Sequence, residues 1–506
     1  MNRLIDIVMR FAKDNRIYLG ISAVALVFNI LTIQNQLPWV DEVMFTDSSA
    51  NLLMYGNWRT HAWYGMGEYH PFALYVPLYQ WMLFLWLKLI GFSLIKVRLF
   101  ELLTTVILGW AVIKVVEVLR GCRSGNTFLL TFSILFWFFK GMCATYRLGR
   151  VDMLAALMAV ACFYYVIKYY KSNKGAIGIV LFSTLTMLAG IQAVIWLFAA
   201  FVFSLFILRA YRKMLKIALY SGVGFSAGFA IACIWMWVYG FLSPFLWNTF
   251  GSSATFLKVK DFIKVHIMGM SASAQEIASP SFSLVDKIMV VFADHSMATL
   301  VFVSIVLFLL NNSMKSFRNN RNYPPHFLVL FGIFAIVFFN LAGRFSGYYW
   351  WASIIPMIVS LSLWAEEKNK MNRIIVGIAS TAFVLLSLPV FGSPFDKQYS
   401  NITDFIRRQK FKDTDRIASP MMTFYEMQSC CPNTFYYSAY SKERIGDLDY
   451  IIVLGDGTDE YNKSGMEDYF HTLKEDSTLS IERVDSCVAP SLIELVQTNL
   501  YSLIIR

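Results

Sequence analysis

Charge is scarce in this chain. Only 15% of its 506 residues are Asp, Glu, Lys or Arg, and 57% are hydrophobic, whereas a soluble globular chain is about a quarter charged. That scarcity excludes an ordinary soluble protein and puts most of the chain in lipid. Zinc-type spacing is missing among the seven cysteines, which excludes a zinc module. No small-residue cleavage site follows the polar, basic stretch Met1–Arg16, so the next apolar run reads as a signal anchor rather than a removed leader. No internal repeat is visible, which weighs against a repeat-built carrier. Gly455-Asp456-Gly457 ends a strand in a turn but lacks a phosphate-binding glycine pattern, so it implies no nucleotide role. The net charge is +11. In a membrane protein such an excess sits in cytoplasmic loops and sets orientation, so no nucleic-acid partner is expected.

Apolar runs of about 17–25 residues are long enough to cross the hydrocarbon as helices. They are Ile17–Gln36, Val97–Leu119, Thr127–Cys143, Met153–Tyr170, Ala176–Ile191, Ala193–Leu208, Ile217–Phe241, Leu284–Leu310, Phe327–Ala342, Tyr349–Trp364 and Ile374–Phe391, about eleven spans. Basic residues check the count. Arg3, Arg10, Lys13 and Arg16 precede the first span. Arg120 and Arg123, then Lys168, Lys171 and Lys174, then Arg209, Arg212, Lys213 and Lys216, then Lys315, Arg318 and Arg321, and last Lys368, Lys370 and Arg373 fill every second connection. This alternation predicts a cytoplasmic N-terminus and an extracytoplasmic C-terminal region. Counting Pro71–Phe92 as a span would break it. That run carries Pro77, Gln80 and Lys88 with clustered aromatics, and reads as an interfacial helix in a long first outer loop.

From about Ser393 the composition turns polar. Asn401–Lys412 and Met466–Lys474 read as helices. Asp449–Leu454, Leu479–Val484 and Leu492–Ile505 read as strands, giving a small α/β unit with its own core. The domains expected are therefore residues 1–392 in the membrane and residues 393–506 outside it. Cys122, Cys143, Cys162 and Cys233 lie in or beside apolar runs as small core residues. Two readings stand for Cys430, Cys431 and Cys487: a bridge from one of the adjacent pair to Cys487, or three free thiols.

Ionisable groups at a membrane face are costly and tend to be functional. The outer loops hold Asp41-Glu42 just past the first span, Arg147, Arg150 and Asp152 at the entrance of the fourth, and Arg344, Tyr348 and Tyr349 before the tenth. Lys258, Lys260, Lys264 and His266 lie in the loop Leu242–Ser283. Each alone has a plain alternative: helix N-terminal acids, snorkelling arginines, an aromatic belt, a solvated basic loop. Together they supply what a reaction on a lipid phosphate needs. A carboxylate takes a proton from an attacking hydroxyl, and cations and hydroxyls hold the phosphate as it leaves.

The order of these parts resembles the GT-C superfamily, and within it the branch of protein O-mannosyltransferases and lipid A aminoarabinose transferases. The resemblance rests on Asp41-Glu42, the amphipathic stretch ending in Gly56-Asn57-Trp58, the run Leu89–Ser93 with Arg98-Leu99, Arg147 with Asp152-Met153-Leu154, and Arg344 with Tyr348-Tyr349 and Pro356. It covers most of residues 1–363. It implies a mostly α, polytopic GT-C fold with interfacial helices in the first outer loop, and an inverting glycosyltransferase. The donor would be a polyprenyl-phosphate sugar and the acceptor a hydroxyl of a lipid, glycan or protein. The implied place is a bacterial inner membrane, with the active site outside and membrane lipids around it. Carried over, Asp41 is the general base, Glu42 its neighbour, and Asp152 a second acid that orients acceptor or sugar. Arg344 and Tyr348 or Tyr349 hold the donor phosphate, with Arg59, Lys258 and His266 as further candidates by position. Where relatives often have a Lys-Pro-Pro run, this chain has Gly67–Phe72, and two readings stand: His70 replaces the cation, or the phosphate is held elsewhere. Some relatives use an Asp-x-Asp pair and a divalent metal, and Asp41-Glu42 and Arg150-Val151-Asp152 do not form that pair, so the resemblance implies no cofactor or metal here, with a divalent cation left open. The competing readings are a transporter or flippase of lipid-linked sugars and an O-antigen polymerase or ligase.

Overall fold

The computed structural model describes residues 14–33, 36–58, 60, 62, 75–208, 211–246, 284–311, 324–341, 347–367, 369–391, 398–431, 434–436, 448–454, 479–490 and 495–505. Each apolar run predicted above is helical within them. The helices are α1 Arg16–Thr32, α2 Val40–Tyr55, α3 Leu78–Ile90, α4 Leu94–Arg120, α5 Asn126–Phe138, α6 Lys140–Tyr146, α7 Asp152–Ser172, α8 Ala176–Ala189, α9 Ile191–Leu208 and α10 Tyr211–Val238. They continue with α11 Leu242–Leu246, α12 Leu284–Ala293, α13 His295–Leu310, α14 Pro324–Leu341, α15 Trp351–Glu366, α16 Lys370–Phe391, α17 Gln398–Gln409 and α18 Phe424–Cys430.

Among the described residues α4, α7, α10, α14 and α16 are each long and apolar enough to cross a membrane, and α5 with α6 forms a sixth such element across a 61° bend. Two expected spans are therefore broken. Thr127–Cys143 bends at Phe139, whose backbone is extended. Leu284–Leu310 is interrupted at Asp294, whose side chain caps α13 by accepting from the Ser296 and Met297 N–H groups at 2.9 and 3.0 Å. The Lys140 Nζ donates to Asp294 at 2.6 Å. The two breaks are thus tied by one ion pair, which satisfies charges that a continuous apolar helix would strand in lipid.

Close approach of helices is set by small residues. Gly224 and Gly228 lie one turn apart on α10 and face α8, and the Thr184 hydroxyl donates to the Gly224 carbonyl at 3.0 Å. A Cβ added at Gly228 would stand 2.6 Å from the Thr184 carbonyl oxygen. This is the glycine spacing by which membrane helices pack backbone to backbone.

The C-terminal segment adds strands β1 Ile417–Ser419, β2 Thr434–Tyr436, β3 Tyr450–Leu454, β4 Leu479–Pro490 and β5 Leu495–Ile505. They form one mixed sheet in the order β2-β1-β3-β5-β4. β1 runs parallel to β2 and β3, and β5 runs antiparallel to β3 and β4. Three of these strands lie where sequence places them, and β1 and β2 are short additions. The helix expected at Met466–Lys474 and the turn at Gly455–Gly457 lie outside the described residues, as does the side chain of Cys487.

The Gly228 contact yields a stability test. Gly228→Leu should lower stability by about 1–3 kcal/mol through overpacking, read as a fall in the thermal unfolding midpoint of the purified protein. An unchanged midpoint would mean that α8 and α10 do not pack through this glycine.

Candidate active site

The segment after α1 begins with α2, and sequence chemistry explains its ends. Trp39 is extended, Asp41 and Glu42 occupy the first turn, and Gly56 closes the helix in the left-handed conformation at φ 70°. Acids in the first turn answer the unpaired N–H groups of a helix start, and a left-handed cap favours glycine. The stretch was expected to be amphipathic. Instead Glu42 through Asn51 are all buried. The reason is that α2 is covered on more than one side. The Ser49 hydroxyl donates to the Gln80 carbonyl of α3 at 3.0 Å. Thr46 pairs with the Tyr425 hydroxyl of α18 at 3.1 Å, and Gln428 Nε2 donates to Asn51 Oδ1 at 2.8 Å. Asp47 accepts from Asn51 Nδ2 at 3.0 Å and from the Ala62 N–H at 2.7 Å, which pins the chain beyond Gly56.

Glu42 is fully buried against Arg98 of α4. The guanidinium Nε donates to Oε1 at 2.8 Å and Nη2 to Oε2 at 2.7 Å, a two-pronged pair with both side chains at 0% exposure. Arg98 also donates to the carbonyls of Ile33, Gln36 and Leu37, and the Gly149 N–H donates to Glu42 Oε1 at 3.0 Å. This one pair fixes the end of α1, the start of α2 and the loop before α7. Truncating either partner would leave a buried charge uncompensated.

Arg150 joins the two acids proposed from sequence. Its Nε donates to Asp152 Oδ2 at 2.9 Å, and its Nη1 donates to Asp41 Oδ2. Arg150 and Asp152 are buried, while 28% of the Asp41 side chain stays exposed. The guanidinium lies over the rings of Trp39 and Phe45, with centroids at 5.4 and 5.3 Å. Burial works against the charge of Arg150, but Asp152 and Asp41 outweigh it and raise the group above its ordinary value. Tyr349, on the short 3-10 turn Gly347–Tyr349, is buried and near enough to act electrostatically on Arg150. The turn before α15 therefore reaches the same cluster.

Arg147, one turn before, does different work. It donates to Asn29 Oδ1 at 2.7 Å and to the Thr32 hydroxyl at 3.0 Å, and sits over the Phe391 ring at 4.9 Å. Neither arginine is the snorkelling residue that the plain alternative supposes, since both are 1% exposed.

Sequence reasoning passes over Glu101 and Tyr79. Glu101 stands one turn beyond Arg98 and is fully buried. Tyr79 of α3 lies beside it, its hydroxyl near the carboxylate, and among the described residues neither group closes a hydrogen bond of normal geometry. Asp152 Oδ1 is a third such atom, and the Trp351 indole approaches it without closing a hydrogen bond of normal geometry. Two guanidiniums, Arg98 and Arg150, thus meet four carboxyl groups. An acid inside an apolar run is itself the available signal for Glu101. Tyr425 had no such signal. Burial first, and Glu42 with it, hold its hydroxyl well above its ordinary value, so it stays a neutral donor.

The remaining candidates are not placed. Arg59, His70, Lys258, His266 and Arg344 lie outside the described residues, and of Tyr348 only the backbone is described. Among the described residues no group of three His, Cys, Asp or Glu side chains is arranged to hold a metal ion.

Two solved structures share this architecture. The chain is similar to ArnT from Cupriavidus metallidurans bound to undecaprenyl phosphate, with TM-score 0.59 and 10% identity over 95% of this chain and 97% of that one. It is similar to the apo form of the same protein with TM-score 0.56, at the same identity and coverage. No protein-family model matches the chain, and no curated protein does. At this identity the likeness shows the fold, which is the GT-C architecture expected from the sequence.

The buried pair gives the test of this geometry. Glu42→Gln should cost about 3–5 kcal/mol, because it strands Arg98. Arg98→Lys should also destabilise, since an ammonium cannot reproduce the fork. Thermal unfolding in detergent reads both; stability within error of wild type would remove the pair from its anchoring role.

Proposed function

We propose that the protein is an inverting glycosyltransferase that moves a sugar from a polyprenyl-phosphate donor to an acceptor hydroxyl at the outer membrane face. The observation that carries the reading is the bridge by which Arg150 holds Asp41 and Asp152 together. The GT-C fold supports it, as does undecaprenyl phosphate in the similar ArnT structure.

The roles follow from exposure. Asp41 is the acid that water and an acceptor can reach, so it is the general base. The acceptor hydroxyl gives Asp41 its proton as its oxygen bonds to the anomeric carbon, on the face opposite the phosphate. The bond from that carbon to the phosphate oxygen breaks, and its electron pair leaves with the polyprenyl phosphate. Asp152, buried behind Arg150, orients that guanidinium. Glu42 is a positioning residue acting through Arg98, which fixes the first turn of α2 and with it Asp41. Arg344, Tyr348 and Tyr349 would hold the leaving phosphate, with His70, Arg59, Lys258 and His266 as further cations or donors. Tyr349 has the firmest standing among them because it reaches the Arg150 cluster. The catalytic unit is residues 1–392, and residues 393–506 form an extracytoplasmic unit whose α18 covers α2. The acceptor is a lipid, glycan or protein. No cofactor enters this scheme.

The test uses purified protein with undecaprenyl-phosphate-linked sugars. Asp41→Asn should lower turnover at least about 100-fold while the protein still folds, Asp152 keeping its pair with Arg150. Asp152→Asn should lower it too, by loosening Arg150. Near-normal turnover in Asp41→Asn would remove Asp41 from the base role. Movement of intact donor across a vesicle without bond cleavage would favour a carrier instead.

A further inference from the structure

The helices that carry the acid cluster at one end enclose a second feature at the other. A cavity of about 600 Å³ lies among α4, α7, α9, α10, α14 and α15, walled almost wholly by apolar side chains. That volume is in the range of about 300–1,000 Å³ typical of small-ligand sites. On α7 it runs from Val160 to Lys171, eleven residue steps, or about 16 Å of helix. Half of a hydrocarbon core is about 15 Å. The cavity is therefore one leaflet deep. It is also open sideways: Phe198 is 55% exposed and Gly222 is exposed, and both line it.

Its charge is one-sided. Lys171 lines the end of the cavity, with Nζ donating to the Leu119 carbonyl at 2.7 Å. Lys213 stands beside it, donating to the Tyr170 carbonyl at 2.9 Å. Both ammoniums hydrogen-bond only main-chain carbonyls in these contacts, and each keeps donors to spare. Asp152 is eight residues from Val160 on the far side of α7, so the acid cluster and the lysines sit at opposite ends of the bundle.

We propose that this cavity is a site for an anionic phospholipid of the leaflet at the basic ends of the helices, with one acyl chain inside and the headgroup phosphate on Lys171 and Lys213. A leaflet-deep apolar slot with cations at its mouth complements an anionic amphiphile, and polybasic segments attract such lipids. The donor lipid is a poor fit, because its phosphate would have to lie at the opposite end, beside Asp41. The site is independent of the transfer chemistry.

Native mass spectrometry of the purified chain tests this after exposure to phosphatidylglycerol, phosphatidylcholine, glycerol phosphate or undecaprenyl phosphate. Retention of one phosphatidylglycerol per chain, in preference to phosphatidylcholine and with no retention of glycerol phosphate alone, is expected. Lys171→Gln and Lys213→Gln should each reduce that preference about fivefold. Gly222→Leu should reduce retention of either phospholipid, because a Cβ there meets nothing within 4 Å and the side chain has room to enter the slot without unfolding the helix. Ala200→Phe is a second filling variant from the opposite wall. No lipid retained, retention indifferent to both filling variants, or displacement of the phospholipid by undecaprenyl phosphate would each overturn the proposal.

Discussion

A charge buried at a membrane face must find its partner inside the protein, and the Glu42–Arg98 pair meets that constraint at the end of the bundle where α2 and α7 begin. Both side chains are out of water, and every favourable term left to them is geometric: a two-pronged pair, three carbonyls on the guanidinium and one backbone N–H on the carboxylate. Such a pair contributes little net stability against an apolar replacement. What it contributes is register. The end of α1, the start of α2 and the loop before α7 are separate in sequence, and this pair leaves them one mutual arrangement. Asp41 takes its position from that arrangement, since it is the residue before Glu42.

The division between Asp41 and Asp152 follows. One guanidinium serves both acids, so they are held together instead of repelling each other. Their environments differ: Asp152 starts a span and is sealed under the bundle, whereas Asp41 retains exposure. Two identical side chains are thereby given different access to solvent, with no difference in the chemistry of the residues themselves.

How much of this was legible in sequence depends on the range of each signal. Helical runs are local, and each expected run is helical. The acids at span entrances were also legible, because a carboxylate beside a long apolar run is conspicuous. What holds them was not. Arg98 and Glu42 are 56 residues apart, and Tyr425 meets Thr46 across 379; no local pattern encodes such pairings. The burial of α2 on several sides had the same cause, since its cover comes from α3 and α18. The interruptions at Phe139 and Asp294 escaped because hydropathy averages over a window. One lysine and one aspartate scarcely dilute it, yet each stands at the start of a new helix segment, where the two pair. In the C-terminal segment β1 and β2 are three residues each. They are too short to show alternation, and are strands only because β3 lies beside β1.

The bundle thus carries opposite chemistry at its two ends on the same helices. α4 bears Arg98 and Glu101 near its start and lines the leaflet-deep cavity near its finish. α7 runs from Asp152 to Lys171. A helix that must present acids to one interface and lysines to the other cannot rotate or slide by a turn without misplacing both. Misplacement at either end exposes charge to hydrocarbon, so both ends resist the same motion. An occupied cavity would add to that resistance from the basic side.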